Sequence, residues 1–113
     1  MQLETTIEYL LAEWGNWAVD GLGLMLCSQS EGKYSEIDDS TALLVDQAIA
    51  LLGQTHPKAQ QVIELYYRKQ LSFRKIAITI NVGETKTRHM HISSVAWLEG
   101  HLMAKGLLLQ RAA

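Results

Sequence analysis

The sequence predicts a small all-α protein of about five helices in a single domain spanning 1–113. Three observations predict it. Apolar residues recur at steps of three and four along most of the chain, the period of an amphipathic helix. No segment gives a strong strand signal. The breaks fall where helices end: a Ser-, Gly- and Asp-rich stretch, the one proline, and the triplet Asn81-Val82-Gly83. A chain of 113 residues is one domain's length, and it can bury a core without disulfides or metals.

The elements follow in order. Leu3, Ile7, Leu10, Trp14, Trp17 and Gly21 lie on one face of a first helix, which Gly21 and Gly23 weaken. The stretch "SQSEGKYSEIDDS" (28–40) reads as a surface loop. Asp38, Asp39 or Ser40 caps a second helix, expected to run to about Leu52 and stop at Gly53. Pro57 suits the first turn of a third helix reaching about Lys69, with Val62, Ile63, Leu65 and Tyr66 as its core face. Gln70-Leu71 makes a short break. Ser72 caps a fourth helix with Phe73, Ile76, Ala77 and Ile80 inward. Asn81 and Gly83, both tolerant of positive φ, bracket a three-residue turn. A fifth helix runs from about Glu84 toward Lys105, with Gly106 as its C-terminal cap and residues 107–113 as a tail that frays.

The formal net charge of −2 conceals a division. Residues 1–54, the acidic helices, hold nine acids and one base, for −8; residues 55–113 hold nine bases and three acids, for +6, and all four histidines. Such asymmetry points to nucleic acid at one end. Elsewhere the composition excludes more than it assigns. The apolar runs fall far short of the ~20 residues a membrane span needs, so no membrane partner is expected. The acidic start "MQLETTIEYLLAEW" does not look like a secretory signal. A lone cysteine, Cys27, fits a reducing, cytoplasmic setting.

The basic part, 55–106, contains a candidate reading head. A short helix, a three-residue turn and a second helix after a supporting one is the helix-turn-helix layout. Ala77 suits the close crossing, and Phe73, Ile76, Ile80 and Val82 hold its angle. The first turns of the second helix, the ones offered to the major groove, carry Glu84, Thr85, Lys86, Arg88 and His89. Lys and Arg donate to guanine O6 and N7, and Glu accepts from cytosine N4. Arg74 and Lys75 stand near the preceding helix's N-terminus, suited to a phosphate, and Arg68 and Lys69 extend that footprint. A plain helix pair with these charges solvated is the competing account of the same residues.

Other candidates point elsewhere. Trp14 and Trp17 share a face with Ile7 and Leu10, so core packing is expected of both. Tyr66 and Tyr67 are adjacent and diverge, one toward the core, the other able to reach a phosphate. Trp97 with Leu98 and Leu102 is a packing stripe or a dimer contact. His89 and His91 are two apart, which does not place them on one helix face. No nucleophile, metal-ligand or phosphate-loop constellation appears, so neither an enzyme nor a cofactor or metal is expected.

The stretch "YYRKQLSFRKIAITINVGETKTRHM" (66–90) resembles region 4 of bacterial sigma factors, in its L-S-aromatic-x-x-I-A pattern followed by turn and recognition helix. From Ile7 to Leu102 the chain looks like the bacteriophage antitermination Q proteins of the lambdoid and prophage group. "AEWGNWAVD" (12–20) resembles that group's W-G-x-W-A helix, "IDDSTALLVDQAIALL" (37–52) its acid-rich second helix, and "SSVAWLEGHL" (93–102) its final pattern. The recognition helix departs from sigma-like versions at Thr87, Met90 and His91, where aliphatic residues are usual. The resemblance implies binding to double-stranded DNA near a phage late promoter. It also implies engagement of RNA polymerase paused by its sigma factor, and readthrough of terminators in the bacterial cytoplasm. Two copies on one DNA element would follow by analogy. The residues alone leave three readings open: such an antiterminator, an ordinary helix-turn-helix repressor or activator, and a polymerase-binding module that does not read DNA.

Overall fold

Five helices account for nearly all of the described residues, 6–26 and 37–108, of a computed structural model, residues 19–26 being described as backbone only. The first, α1 (Ile7–Leu26), passes through Gly21 and Gly23 without ending. Leu3, Cys27 and most of the expected loop lie outside the described residues. Ile7, Leu10 and Trp14 are buried, as the period predicts, and Leu11 is buried beside them. Trp17 is not: it is partly buried, and its indole Nε1 donates to Asp39 Oδ1 at 2.9 Å. The polar edge of the ring found a surface carboxylate, which holds it at the rim of the core.

Asp38 caps α2 (Asp39–Thr55), its carboxylate accepting from the Thr41 amide at 3.2 Å. Hydrogen bonds from Thr41 and Ser40 hold that carboxyl below its ordinary range. Gly53 does not end α2, which continues to Thr55. The stop comes from Pro57 instead. Proline disfavours helical backbone in the residue before it, and His56 sits at φ −137°, ψ 73°. Its amide still closes on the Leu52 carbonyl at 2.8 Å.

Pro57 then opens α3 (Pro57–Tyr67), two residues shorter than expected, with Arg68 as the capping residue. Val62 and Ile63 are buried, while Leu65 and Tyr66 are only partly covered. Gln70 takes a left-handed φ of 56° as the chain turns, and the Leu71 amide returns to the Leu65 carbonyl at 3.1 Å.

Ser72 caps α4 (Phe73–Ile80), accepting from the Lys75 amide at 3.2 Å. The turn to α5 (Glu84–Ala104) is residues 81–83. Asn81 alone takes positive φ, at 60°. The Val82 amide bonds the Ala77 carbonyl and the Asn81 amide the Ile78 carbonyl, at 3.0 and 3.3 Å, closing a Schellman motif. Gly83 is extended, φ −65° and ψ 154°, and serves as the N-cap of α5. The same motif ends α5: Gly106 has φ 83°, and the Leu107 and Gly106 amides return to Leu102 and Met103. The tail does not fray at once, because Leu108 is buried on the core and Leu107 packs beside it.

Two apolar clusters result. The larger joins Leu11, Trp14, Val45, Ile49, Ile63, Leu98 and Leu102, drawing on α1, α2, α3 and the C-terminal half of α5. The smaller centres on Val62, Ile76 and Ile80, with Phe73, Val82 and Met90 packed against it. Helices α3 and α5 each touch all four others, whereas α4 touches only those two. A close backbone approach locks α1 to the end of α3: a side chain at Gly15 would run into the Tyr67 carbonyl oxygen.

Candidate nucleic-acid interface

The face of α5 follows from what it buries. Thr87, Ser94, Leu98 and Leu102 point inward, so the 3.6-residue period turns Thr85, His89 and Ile92 outward. Each of these three is exposed. Thr87 at the hinge with α4 is fully buried, and its hydroxyl donates to the Gly83 carbonyl at 2.9 Å. A β-branched residue can therefore fill this aliphatic-type position because its polar atom is satisfied by the preceding turn.

Arg88 occupies one flank of the outward face. Its Nη2 donates to Glu84 Oε2 at 2.8 Å, one turn earlier on the same helix. Its guanidinium also lies over the Phe73 ring, 4.9 Å from the centroid. Arg74, at the start of α4, lines a concavity with Ala77, Asn81, Gly83 and Glu84. Arg74, Glu84 and Arg88 are thus gathered where α4 and α5 meet. Lys75 is exposed on the same first turn of α4.

Lys86 and His89 open to the other flank. They border a largely apolar groove of about 570 Å³ with Pro57, Ala59, Met90 and Trp97. Trp97 is 40% exposed, its ring stacked on His101 at 5.2 Å, so it lines a surface and is no part of the core stripe. Arg68 is engaged within its own helix, 3.6 Å from Glu64. Lys69 is exposed in the connection that follows.

Beneath Arg88 lies an aromatic cluster that the sequence pattern did not disclose. Phe73 stacks on Tyr66 at 5.0 Å with 15° between planes, and His91 meets Phe73 at 5.1 Å and 66°. Tyr66 and Tyr67 do not diverge as expected, one to the core and one toward phosphate: both rings turn into the same cluster and neither is fully buried. Both are half-buried in this cluster, 4.8 Å apart edge to face. The Tyr67 hydroxyl is 3.2 Å from His91 Nε2. Burial pushes the Tyr67 phenol up to about 12 and holds the His91 imidazole below its usual value. The ring is therefore neutral near pH 7, and with its proton on Nδ1 it accepts from Tyr67. Lys58 was also missed: its Nζ donates to the Ile80 carbonyl at 2.9 Å. A cation at that helix end satisfies an orphan carbonyl and opposes the negative end of the α4 dipole. The Glu84–Arg88 pair was legible as an i, i+4 spacing; no spacing signals Phe73 beneath Arg88.

The model of the family described as phage antitermination protein Q matches residues 4–110. The chain belongs to that family. The match takes in all five helices, so the fold described above is the family's match region almost end to end. No curated protein and no solved structure matches the chain. Membership gives it an antitermination-related, regulatory function. No described helix is long and apolar enough to cross a membrane.

Proposed function

We propose that this protein is a DNA-binding transcription antitermination factor. It binds double-stranded DNA near a phage late promoter, engages RNA polymerase held there by its sigma factor, and makes the enzyme read through terminators. The observation that carries the DNA step is the α4–turn–α5 unit, with its outward-turned first turn of α5. Short α4 lies between α3 and α5, Asn81 in the left-handed region sets the turn, and Thr85, Lys86, Arg88 and His89 stand exposed on the helix that would enter the major groove. Arg74 and Lys75 on α4 and Lys69 after α3 are placed to grip phosphate on the flanks, and Arg68 joins them once released from Glu64. Family membership supports the antitermination step, and the net charge of −8 over residues 1–54 suits a basic surface of the polymerase.

The test is transcription in vitro with purified sigma-containing RNA polymerase, on a template carrying the cognate late promoter followed by a terminator. Readthrough that needs both the protein and the DNA around the promoter is expected, and a Lys86→Ala/Arg88→Ala double variant should lose it. Promoter output simply raised or lowered, with termination unchanged, would refute antitermination and leave an ordinary helix-turn-helix regulator. Full activity in the double variant would refute α5 as the reader.

A further inference from the structure

We propose that Glu84, Arg88 and Phe73 form one guanine-selecting unit, in which Arg88 touches the base and the other two are positioning residues. This rests on the reading of α5 as the helix that meets DNA. An exposed arginine ordinarily samples many rotamers, and ordering it on binding costs affinity. Here two contacts remove that freedom beforehand. The Phe73 ring lies under the guanidinium, 4.9 Å from its centroid, and attracts it as a cation to a π face. The Glu84 carboxylate, 2.8 Å from Nη2, tethers one edge of the group.

The platform under the guanidinium is itself held. Phe73 is stacked on Tyr66 and met edge-on by His91, so its ring cannot turn away without disturbing α3 and α5 together. Meanwhile the working end stays open: the Arg88 side chain is 54% exposed and that of Glu84 43%. Five N–H groups radiate from a guanidinium. The bond to Glu84 occupies one, which leaves enough to donate to both O6 and N7 of a guanine in one plane.

Glu84 also separates base from phosphate as the target. A phosphate brought to Arg88 would sit beside a carboxylate of like charge. A guanine is uncharged and brings no such repulsion, and its O6 and N7 accept from the guanidinium that Glu84 holds. The unit therefore favours a G·C pair over backbone contact, and its selectivity depends on two residues that need not touch DNA for the preference to exist.

Selection of binding sites from a randomised duplex library by the purified full-length protein tests this, followed by competition binding of the enriched site against single-base variants. The wild type should enrich a site with one invariant guanine. Arg88→Ala should lose preference at that position alone, on the order of ten- to a hundredfold. Glu84→Gln and Phe73→Leu should each relax the same position by roughly two- to tenfold, and Phe73→Tyr, which keeps the ring, should restore it. Because Glu84 is exposed, Glu84→Gln reports even if Phe73→Leu unfolds. An unaltered guanine preference in Arg88→Ala, or in both Glu84→Gln and a folded Phe73→Leu, would overturn the unit while leaving α5 as the reader. A wild type that enriches no site and binds no duplex would overturn the reading of α5 together with the proposal.

Discussion

Replacing Gly15 by alanine should destabilise the protein, against the helix-propensity rule. Gly15 lies inside α1, where alanine normally stabilises by about 1 kcal/mol. The structure reverses the sign. An added Cβ would collide with the Tyr67 carbonyl oxygen and lie 2.8 Å from the carbonyl carbon and 3.4 Å from the Arg68 nitrogen. All three are backbone atoms at the end of α3, so no side chain can swing aside. Helix α1 must lift away, loosening Leu11 and Trp14, which are 0% and 1% exposed. Overpacking costs about 1–3 kcal/mol, and with rigid backbone on both sides the upper end applies. Subtracting the propensity gain leaves a net loss of about 2 kcal/mol. Gly100, in α5, is the control: nothing lies within 4 Å of a Cβ there, so Gly100→Ala should stabilise by about 0.5–1 kcal/mol. Urea unfolding followed by circular dichroism measures both. A Gly15→Ala variant as stable as wild type would refute the close approach of α1 to α3.

Four further outcomes are expected. Trp14→Ala should cost about 3–5 kcal/mol, while Trp14→Phe, which loses chiefly the 3.2 Å bond to Asp46, should cost about 1 kcal/mol; equal losses in thermal unfolding would contradict this. Stability should fall at both ends of the pH scale. His91 is depressed in the fold, so its contribution is complete above about 6.5 and lost as pH drops below that. Tyr67 is raised to about 12, so its contribution is complete below about 10 and lost between 10 and 12; His91→Phe should flatten the acid limb, and an unchanged limb would exclude His91 as its source. Gly83→Ser supplies a side-chain cap to an N-cap that has none, and should raise the urea midpoint by the equivalent of a few tenths of a kcal/mol. Lys75→Ala should weaken binding to all duplexes alike and lower the salt slope by about one; sequence-dependent loss in titrations at several salt concentrations would assign Lys75 to a base.

What could be seen in the sequence was local. Ser72 and Asp38 cap their helices because each bonds an amide three residues on, and that reach is fixed by spacing. Pro57 opens α3 because its fixed φ suits the first turn and its missing N–H needs no partner there. Gly53 misled because a glycine stops a helix only where the backbone needs left-handed φ, and at this position the following proline already ended α2. Asn81 and Gly83 both tolerate positive φ, yet only Asn81 adopts it, because one left-handed residue suffices for a Schellman closure. Gln70 at φ 56° carries no residue-type signal at all. The exposed bases of α5 were legible as a set, and their division between two flanks was not, because it depends on which side of α5 meets Phe73 and which meets Pro57. Nor could spacing show that two tyrosines, a phenylalanine and a histidine from three helices converge.

The two unequal apolar clusters imply that the molecule need not melt as one piece. Helix α4 has eight residues, too few to persist alone, and the cluster it joins centres on three buried side chains, Val62 of α3 with its own Ile76 and Ile80. The larger cluster clamps α1, α2 and the far half of α5. Amide protons of α4 should therefore exchange through a low-energy opening that leaves the rest intact. Under the proposed function, such a build lets α4 leave and rejoin a DNA site while the helices of the larger cluster keep the shape that a bound polymerase holds.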